Sequence, residues 1–263
     1  MKYGMPTLVE CADVFACIDV AEKYGLDFIE LNMSFPQYLP SALDTKKLLD
    51  VSKSRGIFFT IHADEMLNPF DFNGKVSECY FDVMRDTIRF ALDMNIPVIN
   101  MHLQKGVYVT LPDKVILLSD VYFDNYKEKV GQFIKMCERE IGDAPLKIAI
   151  ENVDSNPFTK SQLEVMDMFM TSRVFALTLD TGHQLCLCGA DTHVFDKYPN
   201  KLLHMHLHDA KGKSAHLPLG TADVDVMDSI ARLKGDTCLV EVKTIAGLAD
   251  SVEYLKQNDL WNK

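Results

Sequence analysis

Short apolar segments alternate along the chain with longer segments whose apolar residues recur at helical spacing. The short segments are rich in β-branched residues and predict eight strands: residues 2–9, 28–32, 57–62, 97–102, 146–151, 175–180, 202–209 and 237–242. The longer segments carry apolar stripes that are typical of amphipathic helices, such as Tyr80, Met84, Ile88 and Ala91. The sequence therefore predicts an α/β protein in which strands and helices alternate.

Eight strands that alternate with about eight helices are the pattern of a (β/α)8 barrel, the TIM barrel. The alternative is an open, doubly wound sheet. However, no G-x-G-x-x-G follows the first strand, where GMPT stands instead, so nothing favours a dinucleotide-binding fold. No linker rich in Pro, Gly or Ser interrupts the pattern. We therefore expect one TIM barrel domain over residues 1–263.

Polar residues stand at the end of one predicted strand after another. From the second strand to the eighth they are Glu30 with Asn32, His62, His102, Glu151 with Asn152, Asp180, His206 with His208 and Asp209, and Glu241. In a TIM barrel all of these ends meet at one face, where the chemistry takes place. Carboxylates brought together there repel one another unless a cation lies between them. The mixed oxygen and nitrogen set suits Mn²⁺, Mg²⁺, Co²⁺ or Zn²⁺.

Three histidines of the seventh predicted strand alternate with apolar residues. Alternation sends His204, His206 and His208 to the same face of the strand, which in a barrel is the lumen. We expect His206 to reach the metal and His204 to be a hydrogen-bonded core residue in a deeper layer. For His208 and Asp209 the pattern leaves open whether they position a ligand, bind substrate or cap the loop.

Charge and cysteine content narrow the classes of partner. The chain has 38 acidic and 27 basic residues and a net charge of −11, which repels a polyanion, so we do not expect nucleic acid as a partner. Seven scattered cysteines predict reduced thiols and a cytoplasmic location rather than a disulfide framework. No signal-peptide pattern and no run of 18 apolar residues occurs, so we expect no membrane association. A homo-oligomer is left open.

Five segments resemble the xylose isomerase-like TIM barrel superfamily, which includes sugar and sugar phosphate isomerases and epimerases and also endonuclease IV. They are TIHADEMLN (60–68), IAIENV (148–153), LTLDTGH (177–183), HLHDAKGKSAHLPLG (206–220) and LVEVK (239–243). The combination of DTGH with H-x-H-D…H-x-P-L-G is the specific part of the match. The resemblance implies a metal-dependent enzyme of carbohydrate metabolism that acts on a small sugar or sugar phosphate.

The epimerase branch of this superfamily, which includes D-tagatose 3-epimerase, implies a single metal ion. By this resemblance its ligands are Glu151, Asp180, His206 and Glu241, and His183 belongs to the substrate site. Moving a proton beside a carbonyl requires a base, an acid and a Lewis acid. The two metal-bound glutamates, Glu151 and Glu241, are therefore the expected catalytic residues, and they exchange the acid and base roles.

Three further residues on the same face are candidates for substrate binding. Lys211 and Lys213 follow the seventh strand and suit a phosphate group, although a solvated loop explains them equally well. His208 is the third candidate. Two nearby phenylalanines, Phe70 and Phe72, either lie over a small substrate or pack on the barrel.

The endonuclease IV branch is the main alternative, with three zinc ions, nine ligands and abasic DNA as the substrate. Eight positions match: His62, His102, Glu151, Asp180, His183, His206, His216 and Glu241. The ninth is an aspartate in that branch and is Ser214 here, which does not replace a carboxylate as a zinc ligand. His62, His102, His183 and His216 are therefore candidates for additional metal or substrate binding. A barrel that binds a sugar or metal without catalysis is the third alternative.

Overall fold

Eight parallel strands close into a barrel in the computed structural model, which describes residues 1–261. In chain order they are Lys2–Pro6, Phe28–Asn32, Phe58–His62, Val98–His102, Lys147–Glu151, Phe175–Asp180, Leu202–Leu207 and Thr237–Val240, called strands one to eight below. Each strand pairs with the next, and strand eight closes on strand one. This arrangement confirms the predicted TIM barrel.

Helices cover the outside of the barrel. The longer ones are Val14–Tyr24, Thr45–Arg55, Gly74–Asp93, Phe123–Ile141, Lys160–Thr171, Val226–Arg232 and Ile245–Gln257. Shorter segments are Leu118–Val121, Thr181–Cys186 and Thr192–Lys197, with 3-10 turns at Pro36–Tyr38 and Pro199–Lys201. No helix of the described part of the chain is long and apolar enough to span a membrane.

The core lies mainly between the strands and the helices, while the lumen of the barrel is small and polar. Ile148 and Ile150 of strand five belong to the large apolar core, whereas Ala149 belongs to a separate small cluster with Val98 and Ala176. Successive residues of a strand point to opposite faces, so this division follows from the alternation along strand five. On strands four to six, the polar residues of the lumen therefore lie above small apolar side chains, whereas the Phe28 ring fills the lumen on the side of strands one and two.

Strand seven contains an irregularity that sets the register of its histidines. Leu177 of strand six pairs with Leu202, but the next residue, Thr178, pairs with His204. Leu203 is therefore an extra residue, as in a β-bulge. Beyond it, Asp180 pairs with His206. A shift of one residue exchanges the two faces of a strand, so the bulge determines which side chains reach the lumen beside Asp180.

The structure shortens three predicted strands and adds two hairpins. Strand one ends at Pro6, strand seven at Leu207 and strand eight at Val240, each two or three residues before the predicted end. The chain leaves the barrel at these points, although its apolar alternation continues. Residues 209–211 pair instead with 214–217, and residues 108–110 pair with 115–117, both antiparallel.

Gly235, just before strand eight, leaves space for the bulge at Leu203 because it has no side chain. A Cβ atom at Gly235 would lie 1.8 Å from the carbonyl oxygen of Leu203, the bulged residue. We expect Gly235→Ala to lower the free energy of unfolding by about 1–3 kcal/mol, because the backbone must move to relieve this overlap. Gly74→Ala is the matched control, since a Cβ at Gly74 meets no atom within 4 Å.

The measurement is urea-induced unfolding of the two variants and the wild type. Equal unfolding midpoints for Gly235→Ala and Gly74→Ala would show that the bulge does not require this close approach.

Candidate metal centre

Four side chains from strands five to eight converge at the carboxyl-terminal end of the barrel. They are Glu151, Asp180, His206 and Glu241, and their ligand atoms lie within 4.8 Å of one another. The Nδ1 atom of His206 lies 3.1 Å from Oε1 of Glu151, 3.0 Å from Oε2 of Glu241 and 3.9 Å from Oδ2 of Asp180. All four residues are buried. The structure thus brings together the four ligands that the resemblance implied.

Three of these converging atoms have no hydrogen-bond partner in the described part of the chain. They are Oε1 of Glu151, Nδ1 of His206 and Oε2 of Glu241. Their mutual distances are short, but their directions are not those of hydrogen bonds. Unpaired buried polar atoms are costly, and carboxylate oxygens crowded together repel. A divalent cation would satisfy all three atoms, so the donor set fits a metal ion.

The charges of this cluster stabilise one another. Burial alone would raise the pKa of Glu151 and of Glu241, but His206 acts with His102 on Glu151 and with Lys243 on Glu241, and together these positive charges hold both pKa values well below the ordinary range. Burial would lower the pKa of His206, but Glu151, Glu30 and Glu241 together raise it well above 6.5. Both glutamates are therefore anionic at neutral pH, the form in which a carboxylate binds a metal.

Glu30 of strand two lies behind His206; its place at a strand end was predicted, but no role was predicted for it. Its Oε1 lies 3.0 Å from Nε2 of His206, a contact of opposite charges whose direction is not that of a hydrogen bond. Its Oε2 accepts hydrogen bonds from Oγ1 of Thr60 at 2.8 Å and from Nε2 of His204 at 3.1 Å. A carboxylate at this distance stabilises the positive charge of His206 and favours one orientation of its ring. The available signal was a glutamate inside the apolar strand FIELN.

His204 occupies the deeper layer of the lumen, as predicted. Its Nδ1 lies 2.8 Å from the hydroxyl oxygen of Thr237, and its Nε2 hydrogen-bonds Glu30. Both ring nitrogens therefore have partners, and the side chain is fully buried. His204 is a hydrogen-bonded core residue that ties Glu30 to strand eight.

Asp180, the first residue of the segment DTGH (180–183), contacts the ring of His208, which follows strand seven. Asp180 caps the helix Thr181–Cys186 by accepting the N–H of His183 at 2.7 Å. His208 Nδ1 lies 2.8 Å from the backbone nitrogen of His216 and 3.1 Å from the carbonyl oxygen of Asp209, and its Nε2 lies 3.0 Å from Oδ2 of Asp180. A Cβ at Gly182 would lie 2.0 Å from the His208 ring. Glycine is therefore required there, and His208 positions Asp180.

Two histidines of the third and fourth strands lie beside Glu151. The Nε2 atom of His102 lies 3.0 Å from Oε2 of Glu151, and that of His62 lies 3.5 Å from the same oxygen. Asn100, a second residue absent from the sequence-based site, also donates to Oε2. His62, His102 and Glu151 form a second group whose atoms are close enough to hold a metal ion.

His183 and His216 form a third group with His208. The Nδ1 of His183 contacts the carbonyl oxygen of Asn152 at 3.1 Å, and that of His216 contacts the carbonyl oxygen of Glu241 at 3.2 Å. His208 has both nitrogens engaged, as described above. Ser214, where a ninth ligand would stand, is exposed on the hairpin 209–217. This group therefore offers two free ring nitrogens rather than three.

Two cavities flank the cluster on the same face. One has a volume of about 200 Å³ and is lined by Leu8, Phe35, His62, Glu65, Glu241 and Lys243, among others. The other has a volume of about 260 Å³ and is lined by Glu65, His102, Lys105, Asp154, Asn156 and His183, among others. Glu65 lies between the two.

The lysines of this face differ in their placement. Lys243, which the sequence analysis did not single out, lines the first cavity, and its Nζ lies 2.7 Å from Oε1 of Glu241. Lys211 and Lys213, the predicted phosphate-binding residues, are exposed on the hairpin 209–217 and line neither cavity. The two predicted lid residues, Phe70 and Phe72, also lie outside the lining of both cavities, and Phe70 packs in the core against Phe133.

The family model for the xylose isomerase-like TIM barrel matches residues 18–258. The chain belongs to this family. It is also similar to an uncharacterised protein of Methanocaldococcus jannaschii, with 24% identity over 98% of this chain and 89% of that protein.

Solved structures share the fold along nearly the whole chain. A D-tagatose 3-epimerase-like protein has a TM-score of 0.79 and 22% identity, covering 99% of this chain and 98% of its own. The 3-keto-D-glucoside 4-epimerase of E. coli has a TM-score of 0.77 and 13% identity, covering 98% and 99%. The IolI protein with a bound zinc atom has a TM-score of 0.70 and 16% identity, covering 99% and 97%.

The contact between Glu30 and His206 predicts an effect on metal affinity. We expect Glu30→Gln to weaken the binding of Zn²⁺ and Mn²⁺ by about 10- to 100-fold, because the amide does not hold the His206 ring as a carboxylate does. Isothermal titration calorimetry on the metal-free protein measures this change. Glu128→Gln, on the exposed face of the helix Phe123–Ile141, is the control. An unchanged affinity in a folded Glu30→Gln variant would contradict the supporting role.

Proposed function

We propose that the protein is a divalent-metal-dependent isomerase or epimerase of a small neutral sugar, with the whole chain acting as one domain. One observation carries the proposal: two buried carboxylate oxygens, one from Glu151 and one from Glu241, face the same histidine nitrogen beside a cavity. The similarity in fold to sugar epimerases supports it. The unpaired state of all seven cysteines fits a reducing cytoplasm.

Glu151, Asp180, His206 and Glu241 would hold the metal ion. Their oxygen and nitrogen atoms suit Mn²⁺, Co²⁺, Mg²⁺ or Zn²⁺, and the similarity in fold to the IolI structure, which has a bound zinc atom, supports a metal ion. When bound, such an ion polarises a carbonyl oxygen and makes the neighbouring C–H more acidic.

In each of the two glutamates, the two carboxylate oxygens have different contacts. Glu151 directs Oε2 to Asn100 and His102, and Glu241 directs Oε1 to Lys243, while the other oxygen of each faces His206. In the proposed reaction one glutamate removes the proton from the carbon beside the carbonyl. The other first takes up a proton from solvent and then delivers it to the opposite face of that carbon, while the first returns its proton to solvent; the roles reverse in the back reaction. His183, at the second cavity, would contact the sugar.

The charges around the first cavity favour a neutral sugar over a sugar phosphate. Its wall includes the carboxylates of Glu65 and Glu241, which repel a phosphate. Lys243 also lines this cavity, but its ammonium group donates a hydrogen bond to Glu241, which already compensates its charge. Lys211 and Lys213 are exposed outside both cavities, so their proposed phosphate role finds no support in their position.

Proton exchange with solvent tests the proposed reaction. Metal-loaded protein should incorporate deuterium from D₂O beside the carbonyl of a ketose such as D-tagatose or D-fructose, as followed by NMR. Glu151→Gln and Glu241→Gln should each lower the exchange rate by about 10²- to 10⁴-fold, because an amide is neither an acid nor a base. Glu128→Gln should exchange at the wild-type rate. The proposal fails if no ketose exchanges, and the assigned roles fail if both variants retain full activity.

An endonuclease IV-like phosphodiesterase that acts on abasic DNA is the second candidate. The group of His62, His102 and Glu151 favours it, because these residues lie within reach of one additional ion. Ser214 and the engaged nitrogens of His208 weigh against a third ion. The net charge of −11 weighs against DNA binding. Both glutamates point into the cluster, which weighs against a barrel without catalysis.

Metal content separates the two candidates. Elemental analysis of gently purified, chelator-free protein should give about one divalent ion per chain if the strand five to eight ligands act alone. Two or three zinc ions per chain would instead mean that the remaining histidines are ligands. That result would favour phosphodiester cleavage and would overturn the sugar proposal.

A further inference from the structure

An exposed apolar patch lies beside the candidate site and takes no part in the proposed chemistry. It consists of Val107, Tyr108, Val109, Leu111, Val115, Val121 and Tyr122, each between 37% and 56% exposed. These are half of the 14 large hydrophobic residues that are exposed among residues 1–261. Their combined exposed surface is on the order of 600 Å², the upper end for a patch on a typical monomer, so it marks an interaction surface.

The backbone of this patch has open edges. Leu118 N–H bonds to the Val107 carbonyl at 2.9 Å, and Leu111 N–H bonds to the Lys114 carbonyl at 2.8 Å, which fixes the hydrogen-bonded pairs of the hairpin. By antiparallel alternation, Tyr108 and Thr110 direct their N–H and C=O groups outward on one edge. Residues 115 and 117 do so on the other. Neither strand of the hairpin carries a charged side chain, so the usual protection of an edge is missing.

The two faces of the hairpin are also apolar. Tyr108 and Val109 are neighbours in one strand and therefore point to opposite faces, yet both are about half exposed. An isolated two-stranded hairpin is at best marginally stable in water. A partner that adds strands and covers both faces would complete it.

The charge distribution identifies the partner. Residues 105–122 contain two lysines and two aspartates and are therefore neutral, whereas the whole chain carries a net charge of −11. Two copies repel through most of their surface but not through this segment. An antiparallel pair of identical strands is also self-complementary about a twofold axis.

We propose that the 107–122 patch joins two copies of this chain into a dimer by pairing the edges of their hairpins. Because Gln104 and Lys105 precede the patch and line the second cavity, the partner copy would lie beside the mouth of the candidate site. The dimer does not depend on the proposed reaction, so it can be tested without metal or substrate.

Sedimentation velocity of the full chain over a roughly hundredfold range of concentration tests the proposal. The wild type should sediment with twice the mass of one chain. Val109→Lys and Val115→Lys should raise the dimer dissociation constant at least about 100-fold, because lysine protects an edge and cannot be buried unpaired. Met227→Lys, at an exposed apolar residue of the helix Val226–Arg232 outside the patch, should remain dimeric.

Two results would overturn the proposal: a wild type that stays monomeric throughout, or hairpin variants that dimerise as the wild type does. A monomeric wild type would leave the patch to a different protein. If the lysine variants do not fold, hydrogen exchange of the wild type decides. The amides of Tyr108 and Thr110, or those of Val115 and Leu117, should become more protected as the protein concentration rises. Protection that is independent of concentration would refute the dimer.

Discussion

The candidate site depends on one arrangement of charge: a single buried imidazole surrounded by carboxylates. His206 lies within 3.1 Å of an oxygen of Glu30, Glu151 and Glu241, and all of these residues are buried. A buried carboxylate is costly unless it is paired. His206 is the common counterpart of three of them, so the loss of its ring would remove the one positive charge that all three share, although each keeps another partner. A bound cation would also compensate the charges of these carboxylates, so metal binding should stabilise the folded barrel.

The positions of these groups are set by packing that lies away from the centre itself. The bulge at Leu203 places His206 opposite Asp180, and Gly235 leaves the space for that bulge. On the other side, Gly182 leaves the space for the His208 ring, which in turn holds Asp180. Two glycines thus determine the geometry of ligands that they do not touch. Such supporting contacts matter because a small displacement of a ligand weakens a metal site strongly.

The family shares one barrel among different reactions, so the fold alone does not select the substrate. In the proposed function, the substrate is selected by the residues that line the cavities at the carboxyl-terminal end of the barrel. Carboxylates line the first cavity, its lysine is paired with Glu241, and two other lysines lie outside on an exposed hairpin. The neutral, apolar patch that follows strand four contrasts with this acidic surface. Catalysis and association would therefore use neighbouring but chemically distinct parts of the same face.

The sequence by itself determined the eight barrel strands, their order and the face on which the polar residues meet, because strand alternation and strand ends are local patterns. It also indicated the four proposed ligands through the DTGH and H-x-H-D segments. It did not determine the roles of Glu30, Asn100 and Lys243, because each acts through a residue of a distant strand. The hairpins at 108–117 and 209–217 were missed as well: no strand was predicted at 108–117 or 214–217, and residue 209 was assigned to the seventh barrel strand. Only the tertiary structure decided that the His208 ring contacts Asp180 and which lysines reach a cavity. Those properties depend on contacts between segments far apart in the chain, and no local pattern records such contacts.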